Sequence, residues 1–168
     1  RERAAFFKLL TWDNLVTLSL SYNFIEGQLP TDSEITAALQ AAGKPARYTE
    51  ADFSTDKKDY LDKLVGDTCI WLKTNNNPVT YPGVNGQHKE VVHGQDVPRV
   101  LPNARNLSIN LNFMTGDMPK WVLFHPYFVE WDPEILIFNQ QERGKNSEGA
   151  PVLFDNIDNQ KFDYKYYY

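Results

Sequence analysis

The sequence predicts an α+β fold, with one domain built on a mainly antiparallel, sandwich-like β-sheet that two or three short helices cover. Three observations lead to this prediction. Residues 16–24 and 107–113 alternate apolar with polar side chains, which is the period of a strand with one buried face. A capping-box sequence at Thr31 introduces a helical pattern. The length of 168 residues fits a single domain, here taken as residues 1–168.

The N-terminal part predicts a helix, a strand and a second helix. Residues 2–10 mix aromatic and aliphatic side chains with basic ones, which favours a short helix packed by its aromatic face. Residues 16–24 are the clearest strand, with Tyr22 and Phe24 expected on its buried face. Thr31 lies three residues before a glutamate, so a capped helix is predicted over residues 32–42.

The middle of the chain changes from regular patterns to turns. Residues 55–65 place apolar and charged side chains on opposite helical faces, and residues 68–73 are typical of a short strand. Asn, Gly and Pro then recur over residues 74–105, where Asn85-Gly86 is a good hairpin turn. Loop regions of this length in a compact domain are usually functional, so residues 74–105 are a candidate contact surface or β-arm.

The densest apolar material lies in residues 106–139, which we expect to form the central sheet. Residues 107–113 alternate, with Asn112 expected on the solvent-facing side. Residues 121–129 and 134–138 predict two further strands. The chain closes with a Tyr-rich tail over residues 162–168, and we identify no internal repeat.

Composition narrows the classes of function. A formal charge of −5 opposes nucleic-acid binding. No segment approaches the roughly 20 apolar residues that span a bilayer, so no membrane span is predicted. The single cysteine, Cys69, excludes an internal disulfide and is interpreted as a small buried residue. Aromatic residues make up 14% of the chain, and such rings serve both cores and contact surfaces.

The candidate chemical groups do not form a catalytic or metal-binding pattern. His88 and His93 are five residues apart, which puts their rings on opposite faces of a hairpin strand. His125 lies inside a predicted strand and is interpreted as a hydrogen-bonded core or interface residue. The carboxylates near Pro133 are interpreted as a solvated turn: Glu130, Asp132 and Glu134. We therefore predict no catalytic residue, no metal site and no cofactor.

The triplet Gln140-Gln141-Glu142 resembles the Gln-x-Glu element of arginine-modifying or toxin-like ADP-ribosyltransferases. In that family the glutamate stabilises the developing ribosyl cation, and an upstream strand carries a Ser-Thr-Ser element. Here Ser108 lies in a predicted strand that reads Leu-Ser-Ile, and the resemblance covers three residues. It implies an enzyme as the third alternative for the function.

The favoured function is a non-enzymatic structural or assembly subunit, for example of a virion, a phage tail or another extracellular particle. It would act through a protein partner or a second copy of itself, using the 74–105 region and the C-terminal tail. The runner-up is a carbohydrate-binding module with an aromatic platform. The predicted interface residues are Tyr81, Val92, Tyr164, Tyr166, Tyr167 and Tyr168, and the predicted platform residues are Trp71, Trp121, Tyr127 and Trp131.

Overall fold

The computed structural model describes residues 2–53, 79–82, 89–92, 96–128 and 130–141. The predictions over residues 55–65, 68–73 and 162–168 lie outside them. The described elements in chain order are α1 (Glu2–Leu10), β1 (Thr17–Ser19), β2 (Glu26–Gln28), α2 (Asp32–Ala41), a 3-10 turn (Glu50–Phe53), β3 (Val79–Pro82), β4 (Lys89–Val92), β5 (Asn106–Ser108), β6 (Phe113–Thr115), α3 (Lys120–Leu123) and α4 (Pro133–Leu136).

The strands that organise the fold pair in parallel, so the prediction of a mainly antiparallel, sandwich-like sheet is wrong. Strand β1 pairs with β5, and β2 pairs with β6, each as a two-stranded parallel sheet. Among the described residues, antiparallel strands occur as the β3–β4 hairpin, which lies in the predicted arm region. The paired strands lie almost ninety residues apart in the sequence, and parallel strands require such a long connection.

The parallel pairing stacks two similar coils of backbone, which we call coil 1 (residues 15–30) and coil 2 (residues 104–119). Leu18 pairs with Leu107 across β1 and β5, an offset of 89 residues. At that offset six positions are identical, a partial repeat that the sequence analysis did not identify. Strands β2 and β6 pair at an offset of 87, so the register of the two coils shifts by two residues between the strand pairs. The shared residues of coil 1 are Leu18, Ser19, Asn23, Phe24, Gly27 and Pro30.

A third turn of backbone, coil 3 (residues 132–141), continues the stack on the other side of coil 2. The Ile109 N–H donates to the Leu136 carbonyl, and the Leu111 N–H donates to the Asn139 carbonyl, each at 2.8 Å. Coils 1, 2 and 3 therefore form a short solenoid, in which each coil contacts its neighbour in the stack.

The long segment between coils 1 and 2 leaves and rejoins the solenoid at one place. Arg47 forms a β-bridge with Pro98, and the Arg99 N–H donates to the Ala46 carbonyl at 3.0 Å. The Arg99 guanidinium also lies 2.8 Å from an Asp52 carboxylate oxygen. Because its two ends are joined in this way, the insertion does not separate coil 1 from coil 2.

The two longest helices of the described residues follow the prediction. Helix α1 has the predicted bounds, and α2 begins after Thr31, whose hydroxyl accepts from the Glu34 N–H at 3.2 Å while the Glu34 carboxylate accepts from the Thr31 N–H at 2.9 Å. This is the reciprocal capping box that the sequence predicts.

The strands predicted over residues 121–129 and 134–138 are wrong. Helix α3 and turns take up the first run, and the short helix α4 occupies most of the second. Residues 121–128 are all buried, and a run buried on every side does not by itself distinguish helix from strand.

Hydrogen bonds from two tryptophans and an aspartate connect the coils and the helices that follow them. The Trp121 indole N–H donates to the Pro30 carbonyl, and the Trp131 indole N–H donates to the Ala104 carbonyl, both at 2.8 Å. The Asp32 carboxylate accepts from the first two amide groups of α3, each at 3.0 Å. Coil 1 and the start of α2 therefore satisfy polar groups of α3, and Trp131 joins the segment before coil 3 to coil 2.

Candidate binding surface

The buried side chain of Asn112 sets the stacking of coils 1 and 2. Its amide nitrogen donates to the Leu20 and Ile109 carbonyls at 2.8 and 2.9 Å. Its carbonyl oxygen accepts from the Asn23 and Ile25 N–H groups at 2.8 and 3.1 Å. Two donors and two acceptor positions are thus all used, so this buried amide is fully satisfied. The expectation that Asn112 faces solvent is wrong, since the residue is fully buried.

Gln140 has the same role between coils 2 and 3. Its amide nitrogen donates to the Ile109 and Ile137 carbonyls at 2.9 and 2.8 Å, and its carbonyl oxygen accepts from the Met114 N–H at 3.3 Å. The residue that suggested the ADP-ribosyltransferase element is therefore engaged in coil stacking. Glu142 of that triplet lies outside the described residues.

A left-handed residue ends the extended segment of each of the first two coils. Tyr22 and Leu111, which correspond in the repeat, have φ of 59° and 57°. This conformation turns the chain out of the strand, and in coil 2 it directs the following Asn112 inward. It also corrects the predicted burial of Tyr22 and Phe24, which are 68% and 71% exposed.

The face of the strands opposite the core carries a continuous row of small polar side chains, which we call the polar strip. Leu18 and Leu107 point into the core, so their neighbours along the strand point outward. The register places Thr17 beside Asn106 and Ser19 beside Ser108. The strip consists of Thr17, Ser19, Ser21, Asn106, Ser108 and Asn110, which are exposed or half-buried.

Hydrogen bonds across the two coils order the polar strip. The Asn106 amide donates to the Thr17 hydroxyl at 3.4 Å, and the Ser21 hydroxyl donates to the Asn110 side-chain carbonyl. None of the six side chains is charged. The strip thus offers hydroxyl and amide groups whose positions are partly fixed before any partner arrives, and this lowers the entropy cost of binding.

One flank of the strip carries a positive charge. Arg105 directly precedes the strip residue Asn106, and its guanidinium carbon lies 6.0 Å from the centre of the Tyr127 ring. Burial raises the pKa of Tyr127, and this outweighs the opposing effect of the hydrogen bond and charge of Arg105. Both residues line a shallow groove with Asn14, Val16 and Asn103, so the strip borders a mixed polar and aromatic groove.

The residues predicted for a sugar platform are mostly in the core. Trp121, Tyr127 and Trp131 are 1%, 4% and 0% exposed, and both indole N–H groups bond to backbone carbonyls. A pyranose ring could not stack on these rings without unpacking the core. Trp71, the fourth platform residue, lies outside the described residues.

The predicted interface residues divide between the hairpin and the undescribed tail. Tyr81 lies in β3 opposite Glu90, and Val92 lies in β4 opposite Val79. The four tail tyrosines lie outside the described residues: Tyr164, Tyr166, Tyr167 and Tyr168. Their interface role stays a prediction.

His125 is a buried structural residue, as the sequence suggested, although it lies after α3 and not in a strand. Its Nδ1 accepts from the Tyr127 N–H at 3.0 Å, which places the ring hydrogen on Nε2. Nε2 lies 2.9 Å from both the Val100 and Leu101 carbonyls. Within the described residues no group of three His, Cys, Asp or Glu side chains has the arrangement of a metal site.

No family model, curated protein or solved structure matches this chain. The order of residues in its coils still has a recognisable form. Residues 15–25 read Leu-x-x-Leu-x-Leu-x-x-Asn-x-Ile, and residues 104–114 read Ala-x-x-Leu-x-Ile-x-x-Asn-x-Met. This order resembles the pattern of leucine-rich repeats, in which each coil holds one strand and a helical or irregular return. In the part of the chain that the structure describes, no helix is long and apolar enough to cross a membrane.

Sequence reasoning missed the polar strip because it treated each strand by itself. The signal was present in the identical Leu-Ser and Asn-Phe pairs of the two coils. Coils 1 and 2 are 89 residues apart, and this large separation makes their similarity hard to notice. Asn112 of coil 2 and Gln140 of coil 3 are only 28 residues apart, which is within the length of one leucine-rich repeat.

Proposed function

We propose that this chain is a non-enzymatic structural or assembly subunit that binds a protein partner through the polar strip. The observation that carries the proposal is the stacking of β1 on β5, which places two rows of outward polar side chains side by side. Solenoids commonly bind through such extended surfaces, because the strands of successive coils add to one face.

The chemistry of the strip favours a protein partner. Its hydroxyl and amide groups suit the backbone and polar side chains of another protein, and the adjacent Arg105 is of a residue type enriched in protein interfaces. Because the strip has no charged side chain, recognition would depend on shape and hydrogen bonding. We therefore expect the affinity to change by less than about threefold between roughly 50 and 500 mM salt.

The test is site-directed photo-cross-linking. A photo-reactive amino acid at Ser108, in the middle of the strip, should trap a protein partner in the native cells. The matched control places the same group at Gln40, an exposed residue of α2. The trapped protein is then purified and its affinity is measured for the full chain and for the Ser108→Arg and Gln40→Arg variants.

The proposal expects Ser108→Arg to weaken that affinity by about tenfold or more and Gln40→Arg to leave it within about twofold. Equal affinity of the two variants contradicts it. A glycan array on the same proteins tests the runner-up, because an oligosaccharide bound by the full chain and lost in Ser108→Arg would assign the strip to carbohydrate.

A further inference from the structure

The outer edge of coil 1 carries backbone groups that are suited to pair with another strand. The Leu20 and Tyr22 N–H groups donate to coil 2 at Ser108 and Asn110, and the Val16 carbonyl accepts from coil 2. Successive residues of a strand direct their N–H and C=O groups to opposite edges. The backbone groups of Thr17 and Ser19 therefore point away from coil 2, where β1 has no strand partner among the described residues.

Exposed apolar side chains concentrate in and just before coil 1. Of the five large hydrophobic residues that are well exposed in the described chain, four lie in or just before coil 1. They are Trp12, Val16, Tyr22 and Phe24, exposed by 47%, 52%, 68% and 71%. Apolar clusters beside an accessible strand edge are typical of protein contacts.

The edge also lacks the features that normally protect an outer strand. Natural edge strands are often guarded by charged residues or proline, yet residues 14–25 contain neither. The whole chain has a formal charge of −5, so two copies carry net charge of the same sign. The uncharged edge of coil 1 is a place where two copies can approach without bringing like charges together.

We propose that β1 pairs with β1 of a second copy of this chain, antiparallel and across a two-fold axis at Ser19. In this register the backbone of Ser19 pairs with the same residue of the other copy, and Thr17 lies opposite the partner's Ser21. The same register brings Val16 to the end of the strand where the partner's Tyr22 lies. The exposed apolar residues at the two ends of β1 are thus complementary to one another, as a two-fold contact requires.

The dimer would have a larger polar strip than the monomer. A two-fold axis perpendicular to the sheet turns the outward side chains of both copies to the same side. The polar strip would then run without interruption across four strands, two from each copy, and double the surface offered to a partner.

The test is the solution mass of the full chain over a concentration series, by light scattering and sedimentation equilibrium. We expect the mass to rise from 19.4 kDa to twice that value. Ser19→Pro removes an N–H that points away from coil 2, so it should weaken dimerisation by about tenfold or more. Ser19→Ala is the matched control, because it retains that N–H and should leave the dissociation constant within about threefold.

A second variant, Tyr22→Asn, tests the dimer with a substitution that should not disturb folding. Asparagine accepts the left-handed conformation of this position better than tyrosine, so the monomer should remain folded while the exposed ring is lost. We expect this variant also to weaken the dimer by about tenfold or more. A mass of 19.4 kDa up to about 1 mM, or a dimer that neither variant weakens, would overturn the proposal. The strip variant Ser108→Arg should leave dimerisation unchanged, which separates this test from that of partner binding.

Discussion

Replacement of Asn112 by alanine removes three hydrogen bonds between coils 1 and 2, and also those to the Ile109 and Asn110 carbonyls within coil 2. The variant leaves the Leu20 carbonyl without its side-chain donor and the Asn23 and Ile25 N–H groups without their acceptor. The Ile109 carbonyl keeps the hydrogen bond from Gln140. Each buried polar group that loses its partner costs about 1–3 kcal/mol. Coil 1 is partly open to water, so part of this cost is recovered by hydration. We expect a loss of about 3–5 kcal/mol in the free energy of unfolding.

Asn23 provides a matched control because it holds the corresponding position of coil 1. It is exposed, and its amide donates to the Ser21 carbonyl at 2.9 Å near the surface. Asn23→Ala should therefore cost no more than about 0.5–1 kcal/mol. The two variants delete the same atoms at equivalent positions, and they differ in whether a further coil stacks on the amide.

Urea unfolding followed by tryptophan fluorescence and circular dichroism measures both variants. With a denaturant slope of about 2 kcal/mol per molar, Asn112→Ala should lower the midpoint by roughly 1.5–2.5 M. Asn23→Ala should lower it by less than about 0.5 M. Equal shifts for the two variants would refute the reasoning that Asn112 holds the coils together.

Three further changes test other parts of the structure. Gly116→Ala should lower the free energy of unfolding in urea by about 2–3 kcal/mol, because φ there is 86° and a Cβ would overlap the Gln28 side chain. Gly27 has the same φ but open space around it, so Gly27→Ala should lower the free energy of unfolding by about 1 kcal/mol less. Equal losses for the two variants would contradict this. Asp32→Asn should cost about 1–2 kcal/mol, because the carboxylate caps α3, and no loss would show that the cap is unimportant. Burial raises the pKa of Tyr48 above its ordinary value of 10.0, so the folded state holds the phenol proton more tightly than the unfolded state does. The free energy of unfolding should therefore fall as the pH rises above about 10, by up to about 1.4 kcal/mol per pH unit. Tyr48→Phe should reduce this slope, and an unchanged slope would argue against the role of Tyr48.

Local features of the fold could be predicted from the sequence, because the groups that determine them are close together in the chain. The capping box of α2 is an example, since Thr31 and Glu34 satisfy each other within one helical turn. The bounds of α1 and the presence of antiparallel pairing in the 74–105 region have similarly local causes.

The stacking of the coils could not be predicted from the patterns of single segments. An alternating segment shows which side chains share a face, but it does not show which strand lies beside it or in which direction. Asn112 shows the consequence most clearly. Its place in the alternation suggested a solvent-facing residue, yet the left-handed Leu111 turns the chain so that Asn112 is buried.

Asn23 and Asn112 also connect the fold to the proposed contacts. Within coil 2 the asparagine side chain accepts two N–H groups from coil 1, because coil 1 lies against it. Coil 1 has the same asparagine at the same position, followed by the same phenylalanine, but its outer edge lacks a strand neighbour among the described residues. Coil 2 buries this strand edge against coil 1, whereas coil 1 has no described strand beside the equivalent edge. The most exposed apolar side chains of the described chain, Phe24 and Tyr22, belong to coil 1, and this is the reason to look there first for a second copy.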